Sequence, residues 1–343
     1  MSARRLGFLS FGHHQNTWGA SARTAGEALT QGIEIAVGAE ALGLDGAWSR
    51  VHHLQRQFSS PWSLLAAVAA RTSRIEIGTA VIDMRYENPL LMAELAASAD
   101  LISGSRLQLG LGRGSQEPAL RGYERFGFRP AEGHTAGDMA REHTARFRAA
   151  IAGAPVAESD PSQTSTTVPL AIEPQSPTLP ERIWWGSATR QSARWAGEQD
   201  LHLLSSTLLS EDTGVPFSEL QAEQIRAFRT ARAEAGHPGS RRVAVVRSIL
   251  PIVSQRDADL YGPAARASQE HVGVLGGAVS RFGKSFIGEP DRIVEELQRD
   301  EAVMSSDTLL VTIPNVLGVD HNLELLENIR DHIAPAIGWT RTG

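Results

Sequence analysis

Short apolar runs alternate with longer helical stretches along most of the chain, and this alternation restricts the fold more than any other feature. The pattern is typical of a parallel sheet covered by helices. Eight strand–helix units predict a closed (β/α)8 barrel, the TIM barrel, and a doubly wound open sheet is the alternative. The predicted strands are residues 5–11, 44–49, 74–82, 106–112, 182–187, 201–206, 241–253 and 307–314.

Several helix boundaries carry local signals. A helix over residues 26–42 should end at Gly43, and Asn88 should cap a helix that begins at Pro89. We expect one or two helices within residues 257–299. The alternation is interrupted after the fourth strand, over about 113–182. There we predict one helix, about 134–152, followed by a surface segment rich in Pro, Ser and Thr. Residues 1–343 are therefore predicted to form a single barrel domain with an irregular insertion.

Composition excludes several classes of function. The chain has 343 residues, a net charge of −6 and no basic stripe, which argues against nucleic acid as a partner. No apolar run reaches the roughly 18–20 residues that span a bilayer, and we expect the N-terminal residues to form the first strand and not a secretory signal. The chain contains no cysteine, so disulfides, thiolate metal sites and cysteine nucleophiles are absent. A cytoplasmic enzyme of small molecules fits these limits.

Polar and small residues follow the predicted strands, where barrel enzymes place their active sites. His52 and His53 follow strand two, and Arg113 follows strand four. Four small residues that lead into a helix follow strand five: Gly186, Ser187, Ala188 and Thr189. Backbone N–H groups at a helix N-terminus favour an anion, and an arginine can clamp a phosphate. An equally weighted alternative is that Ser187 only caps the helix and Arg113 is a solvated loop residue.

Two phosphate-binding motifs are incomplete. In GLGRGS (110–115), Ser115 stands where a dinucleotide fingerprint requires glycine. In GGAVSRFGKS (276–285), Ala278 stands where a phosphate loop requires glycine, and the segment does not follow a predicted strand.

The adjacent histidines allow three interpretations. Neighbours on an extended segment point in opposite directions, so His52 and His53 should not chelate one metal ion. A site shared with His13 and His14 after strand one is the least favoured interpretation, and we predict no metal site. A structural role and a role as proton donor or acceptor in a cofactor pocket are the other two.

Three stretches together resemble a known family. They are GLDGAWSRVHHLQRQF, RIEIGTAVIDMRYENPLLMAELAASADLISGSRLQLGLGRGS and RIWWGSATRQSARWAGEQDLHLL. The strand GTAV, the NP that opens a helix and the DLISGSR turn into a strand that ends in GRG are the most specific part. The chain resembles the bacterial luciferase-like flavin monooxygenases, a group that also includes deazaflavin-dependent reductases.

The resemblance implies a cofactor site. FMN would lie at the barrel mouth with its phosphate near Arg113 and the Ser187–Thr189 turn. A non-proline cis peptide, Ala80–Val81, would form a bulge behind the flavin ring. His52 would assist proton transfer near the reduced flavin, and His53 would be structural support on the opposite side.

The resemblance also implies a reaction and partners. Reduced FMN from a separate flavin reductase would react with O2 to give a flavin C4a-peroxide, which oxygenates a small apolar substrate. A homodimer is expected. Two departures from the family pattern, Val51 before the histidine pair and Gly112 before the arginine, weaken any expectation of light emission.

Two other functions on the same fold stay open. One is hydride transfer with coenzyme F420, whose acidic tail would favour a basic outer groove. The groove residues would be Arg85, Arg121, Arg125 and Arg129. The other is a flavin-binding barrel without catalysis. Residues 254–285 are a candidate lid, and an apolar substrate pocket is suggested by Trp18, Trp48, Phe58 and Trp185.

Overall fold

A computed structural model describes residues 4–114, 118–275 and 278–340. Residues 115–117 of the predicted insertion and residues 276–277 of the predicted lid lie outside the described residues. Eight parallel strands pair in chain order, and the seventh pairs with both the sixth and the eighth, so the sheet closes on itself. The predicted barrel is confirmed, and the open sheet is excluded. The strands are β1 (Arg5–Ser10), β2 (Gly46–Ser49), β3 (Glu76–Thr79), β4 (Leu107–Gly112), β5 (Ile183–Ser187), β6 (His202–Ser205), β7 (Val243–Pro251) and β8 (Thr308–Thr312).

Helices cover the outside of the barrel, and the predicted caps are present. Asn88 Oδ1 accepts the N–H groups of Leu90 and Leu91, and Gly43 ends the first helix at φ +87°. None of the described helices is both long and apolar enough to cross a bilayer. The main α-helices are Ala25–Leu42, Trp62–Arg71, Pro89–Ser103, Ala136–Ile151, Arg190–Glu198, Phe217–Glu234, Gln255–Ala265, Pro290–Gln298, Glu301–Ser305 and Val319–His332.

Two apolar cores follow from the alternation of side chains along the strands. The larger core lies between strands and helices, and a smaller one fills the barrel. Inside the barrel, Trp48 and Trp184 meet edge to face with ring centroids 5.3 Å apart. Below them, Arg242 lies 4.9 Å from the Trp184 ring and donates to both oxygens of Glu76 at 2.8 and 3.0 Å. Together these residues fill the end of the barrel at which the strands begin.

The insertion is more ordered than predicted. Its helix, Ala136–Ile151, is confirmed, and the polar segment after it contains a two-stranded pairing of Ala157–Glu158 with Pro169–Leu170. The end of this segment is held to the barrel by the buried carboxylate of Asp100, which lies in the helix Pro89–Ser103. Arg182 donates to both of its oxygens at 2.7 and 2.8 Å, and Ser176 Oγ donates at 2.6 Å.

The prediction that only helices lie within residues 257–299 is wrong in its middle part, and the candidate lid over 254–285 stays a prediction. After the helix Gln255–Ala265 come an antiparallel hairpin, His271–Leu275 with Ala278–Phe282, and a strand, Ser285–Gly288, that pairs with β7. Valine, isoleucine and phenylalanine favour these strands, but the glycines among them concealed the pattern. Leu208–Leu209, just after β6, adds a third strand to the hairpin.

Candidate active site

A cleft of about 200 Å³ opens where the barrel strands end. The loops after β1 to β6 supply most of its wall, which is the position of active sites in this fold. Apolar side chains cover part of the wall: Leu9, Phe11, Val51, Ala80, Val81, Leu204, Leu208 and Val246. Polar side chains cover the rest: Arg50, His52, His53, Asp83, Arg113, Ser187, Ser206, Thr207 and Ser210.

Seven of the eight predicted site residues lie in this wall: His52, Ala80, Val81, Arg113, Gly186, Ser187 and Ala188. Thr189 does not line the cleft. Its hydroxyl caps the following helix by accepting the N–H of Ser192 at 3.1 Å, and its carbonyl accepts the hydroxyl of Ser187 at 2.9 Å. The structure therefore brings the predicted residues together, but it gives Thr189 a local role in the turn.

The floor of the cleft is built around Val81. The Ala80–Val81 peptide is cis, as the resemblance implied. The Val81 side chain lies against Gly186, the residue before the end of β5, and against Gly112, the last residue of β4. A Cβ atom on either glycine would stand 2.8 Å from a Val81 methyl group, which is closer than real Cβ contacts. The two glycines therefore give Val81 the room to form an apolar surface at the barrel mouth.

Arg113 is a cation held at the rim of the cleft. Burial lowers its pKa, nearby Arg141 lowers it further, and Asp138 acts in the opposite direction. No hydrogen bond or ion pair to Arg113 is present in the described parts of the chain. No described carboxylate therefore neutralises its guanidinium, and the role of Arg113 as an anion clamp stays a prediction.

The helix after β5 offers an anion less than the sequence suggested. The first N–H group of this helix, on Arg190, donates to Glu211 Oε1 at 2.8 Å. Glu211 also accepts the Gln224 amide at 3.0 Å. Because this carboxylate already occupies part of the positive helix terminus, a phosphate here would depend more on Arg113 than on the turn.

His52 lies in the wall as a neutral imidazole. Its Nδ1 is 3.1 Å from Gln55 Nε2. Burial, together with the charges of Arg50, His53, His13 and Arg85, lowers its pKa to about 4. At pH 7 the ring therefore offers one N–H donor and one acceptor nitrogen.

The expectation that His53 lies on the opposite side is wrong, because both imidazoles line the cleft. Strand β2 ends at Ser49, before the histidines, and the chain turns at Leu54 with φ +59°. The alternation of side chains along a strand therefore does not apply. His53 stacks on Tyr86 with centroids 4.3 Å apart, and its buried Nε2 has no hydrogen-bond partner among the described residues.

Sequence reasoning missed two charged groups in the wall. Arg50 directly follows β2 and lies 4.9 Å from the centroid of the Phe11 ring; burial lowers its pKa to about 10. Asp83 follows β3 and holds Arg85 through both carboxylate oxygens, with a shortest contact of 2.6 Å. Burial and Asp83 together raise the pKa of neighbouring Glu87 to about 7. The positions of Arg50 and Asp83 just after predicted strands could have indicated from the sequence that both line the active-site mouth.

The four aromatic residues suggested for a substrate pocket do not form one. Trp48, Phe58 and Trp185 are buried in the cores, and Trp18 is fully exposed. Among the described residues, no group of three or more His, Asp or Glu side chains is arranged to hold a metal ion.

The family model for luciferase-like monooxygenases matches residues 5–302, which include every strand that lines the cleft. The chain belongs to the luciferase-like monooxygenase family. The same family was inferred from the sequence, so that prediction is confirmed.

Comparisons with individual proteins are more limited. A segment of 100 residues is 39% identical to F420-dependent glucose-6-phosphate dehydrogenase of Amycolatopsis mediterranei and covers 27% of this chain and 30% of that protein. A segment of 109 residues is 32% identical to 4-hydroxyprotoasukamycin monooxygenase of Streptomyces nodosus subsp. asukaensis, over 31% and 29% of the two chains. The matched segments thus span about a third of these curated relatives.

A solved structure extends the fold comparison to nearly the whole chain. The oxygenating constituent of 3,6-diketocamphane monooxygenase from Pseudomonas putida, in complex with FMN, has a TM-score of 0.72 and 19% identity, covering 98% of this chain and 100% of that one. At this identity the likeness establishes the shared barrel.

Proposed function

We propose that this luciferase-like protein is an FMN-dependent monooxygenase that uses reduced FMN and O2 to oxygenate a small organic substrate. The observation that carries the proposal is the pairing of an apolar floor at Val81 with a cation, Arg113, that has no ion-pair partner among the described residues and lies at the rim of the same cleft. A flat conjugated ring needs the first, and a phosphate tail needs the second.

The residues present fit FMN in their chemistry. Val81 has room at the barrel mouth because Gly112 and Gly186 lack side chains, and its apolar side chain would lie against a bound ring. Arg113 has no competing carboxylate within hydrogen-bond distance among the described residues. The hydroxyl of Ser187 already donates its hydrogen to the Thr189 carbonyl. Because a phosphate oxygen needs a hydrogen-bond donor, Ser187 contributes less to phosphate binding than Arg113 does.

Each part of the wall then has a task. Bound reduced FMN would supply the electrons and the site of reaction with oxygen. Leu9, Leu204 and Val246 exclude water from the floor. His52 donates a hydrogen bond or a proton into the cleft. An anion bound beside His52 opposes the effect of the surrounding cations, so it raises the pKa of His52 from about 4 towards neutrality.

A separate reductase that delivers reduced FMN completes this proposal, because each oxygenation consumes the electrons that reduced FMN supplies. The substrate is proposed to be small, since it must share a cleft of about 200 Å³ with part of the cofactor.

Hydride transfer with F420 is the second candidate. It is supported by the segment that is 39% identical to an F420-dependent dehydrogenase. The basic groove expected for the acidic tail of F420 is weakened, because Arg85 is paired with Asp83 and Arg121 with Glu124. Arg125 and Arg129 are exposed and stay available for such a tail.

A parallel titration separates the candidates. Purified protein is titrated without oxygen with reduced FMN and with reduced F420, and oxygen is then admitted in a stopped-flow spectrometer. We expect tighter binding of reduced FMN and a return of the oxidised flavin spectrum that differs in rate from that of free FMN. Preference for F420 without any oxygen reaction would replace the proposal by hydride transfer.

The variant His52→Ala tests the assigned residue in the same experiment. We expect it to bind reduced FMN but to lose at least about tenfold in the protein-controlled oxygen reaction, as is typical when a positioned proton donor is removed. Unchanged oxygen kinetics would refute the role of His52. Tight flavin binding with oxygen kinetics equal to those of free FMN in the wild-type protein would indicate a non-catalytic flavin-binding barrel.

A further inference from the structure

A short chain of side-chain amides ends on the imidazole of His52. Gln57 Nε2 donates to Gln55 Oε1 at 3.0 Å, and Gln55 Nε2 lies 3.1 Å from His52 Nδ1. An amide nitrogen can only donate, and a neutral imidazole has one N–H and one bare nitrogen. In this arrangement Nδ1 is the bare nitrogen and the proton is on Nε2.

The opposite orientation of both amides is less favourable. In the present arrangement Gln57 Oε1 is a buried oxygen without a hydrogen-bond partner among the described residues. Reversing both amides would place the two N–H donors of Gln57 at that position. Buried N–H groups without an acceptor are rarer in proteins than under-satisfied carbonyl oxygens. The chain therefore runs from Gln57 through Gln55 to His52.

The charges around the His52 ring favour its neutral form. A neutral imidazole carries one proton, which lies on either Nδ1 or Nε2. Among the described residues, the charged and titratable groups that act on His52 are Arg50, His53, His13 and Arg85, and each lowers its pKa. None of them is a carboxylate that would stabilise an imidazolium or accept a proton from Nδ1. The two glutamines are thus the groups that decide which nitrogen carries the proton.

We propose that Gln55 and Gln57 are positioning residues that hold His52 as the neutral tautomer protonated at Nε2. The ring then presents an N–H donor to a bound molecule, which must offer an acceptor oxygen or nitrogen at that point. The proposal rests on the proposed function only for the identity of that molecule. The tautomer itself is a property of the protein without cofactor.

The test is ¹⁵N NMR of protein labelled at histidine and free of cofactor. The His52 signals are identified by their loss in His52→Ala. We expect a pyridine-like shift for Nδ1 and a pyrrole-like shift for Nε2 at pH 7. His202 gives an internal reference for the same tautomer, because the backbone N–H of Arg242 donates to its Nδ1 at 2.8 Å.

Two variants and a control make the test specific. In Gln55→Glu a carboxylate replaces the donor, so Nδ1 should become protonated and its shift should change from pyridine-like to pyrrole-like. Gln57→Met should give averaged shifts, because Gln55 is then free to reverse. Gln163→Glu adds the same charge at an exposed residue of the insertion and should leave His52 unchanged.

The outcomes separate this proposal from the proposed function. A pyrrole-like Nδ1 in the wild-type protein, or unchanged shifts in Gln55→Glu, would overturn the positioning role. The expected shifts without any binding of reduced FMN would uphold it and refute only the monooxygenase. If both proposals hold, Gln55→Glu should slow the oxygen reaction at least tenfold with a smaller change in FMN affinity.

Discussion

The buried carboxamide of Asn315 accepts the N–H of Gly12 at 2.9 Å, although the two residues are 303 positions apart. The same oxygen accepts the N–H of Phe11 at 3.0 Å, and Nδ2 donates to Ser10 Oγ at 2.7 Å. The loop after the last strand therefore fixes the loop after the first. Phe11, which it positions, lines the cleft and stacks with His13 at 5.3 Å between ring centroids.

Asn315→Leu should destabilise the barrel and loosen the cleft. The substitution leaves two backbone N–H groups without their acceptor, at about 1–3 kcal/mol for each buried donor. We expect the free energy of unfolding to fall by about 2–4 kcal/mol in urea titrations and FMN affinity to fall with it. The matched control Asn16→Leu changes an exposed asparagine of the loop after β1 and should alter neither quantity. Equal stability of the two variants would contradict the assigned role.

Arg113→Met should weaken binding of FMN without weakening binding of riboflavin. Methionine keeps much of the apolar stem and removes the charge. A charge-assisted hydrogen bond to a phosphate contributes about 1.5–3 kcal/mol, which corresponds to roughly a 10- to 150-fold increase in the Kd for FMN. The affinities are measured anaerobically by flavin absorbance.

Two comparisons make the Arg113 result specific. Arg141→Met removes a neighbouring cation that is already paired with Asp138 at 3.1 Å, so its effect on FMN should be much smaller. An equal loss of affinity for FMN and riboflavin in Arg113→Met would mean that the arginine does not meet the phosphate.

Gly186→Ala should disturb the cleft floor, and a smaller residue at position 81 should restore it. The new methyl group would stand 2.8 Å from Val81 Cγ1, and overpacking of this kind typically costs about 1–3 kcal/mol. The double variant Gly186→Ala with Val81→Ala removes the clash. A double-mutant cycle in urea unfolding should give a coupling of at least about 0.5 kcal/mol. Additive effects would show that the two side chains do not share this space.

The sequence was sufficient for the barrel because each barrel strand is an apolar run with helix signals after it. It was sufficient for most of the cleft because barrel strands all end at one mouth, so that His52, Arg113 and Ser187 could be placed together from their positions alone. The hairpin His271–Leu275 with Ala278–Phe282 was missed because glycines interrupt its apolar pattern. Contacts such as that of Asn315 with Gly12 depend on barrel closure and have no local signal.

Stability should decrease towards acidic pH through His202, at the opposite end of the barrel from the cleft. Its Nδ1 accepts the Arg242 N–H at 2.8 Å, and Nε2 donates to the Glu181 carbonyl at 2.9 Å. Burial and the charges of Arg242 and Arg241 lower its pKa to about 3. The folded pKa is thus below the unfolded value of about 6.5. Its contribution to stability is present above pH 6.5 and is lost as the pH falls from there towards 3.

His202→Gln measures this contribution, because glutamine can also accept and donate but does not titrate. We expect the wild-type free energy of unfolding to fall below pH 6.5 by up to about 1.4 kcal/mol per pH unit more than that of the variant. Urea titrations between pH 4 and pH 7.5 give both curves. His332→Gln, which removes an exposed imidazole, should follow the wild-type curve. Parallel curves for wild type and His202→Gln would show that the buried imidazole does not set the acid limit of the barrel.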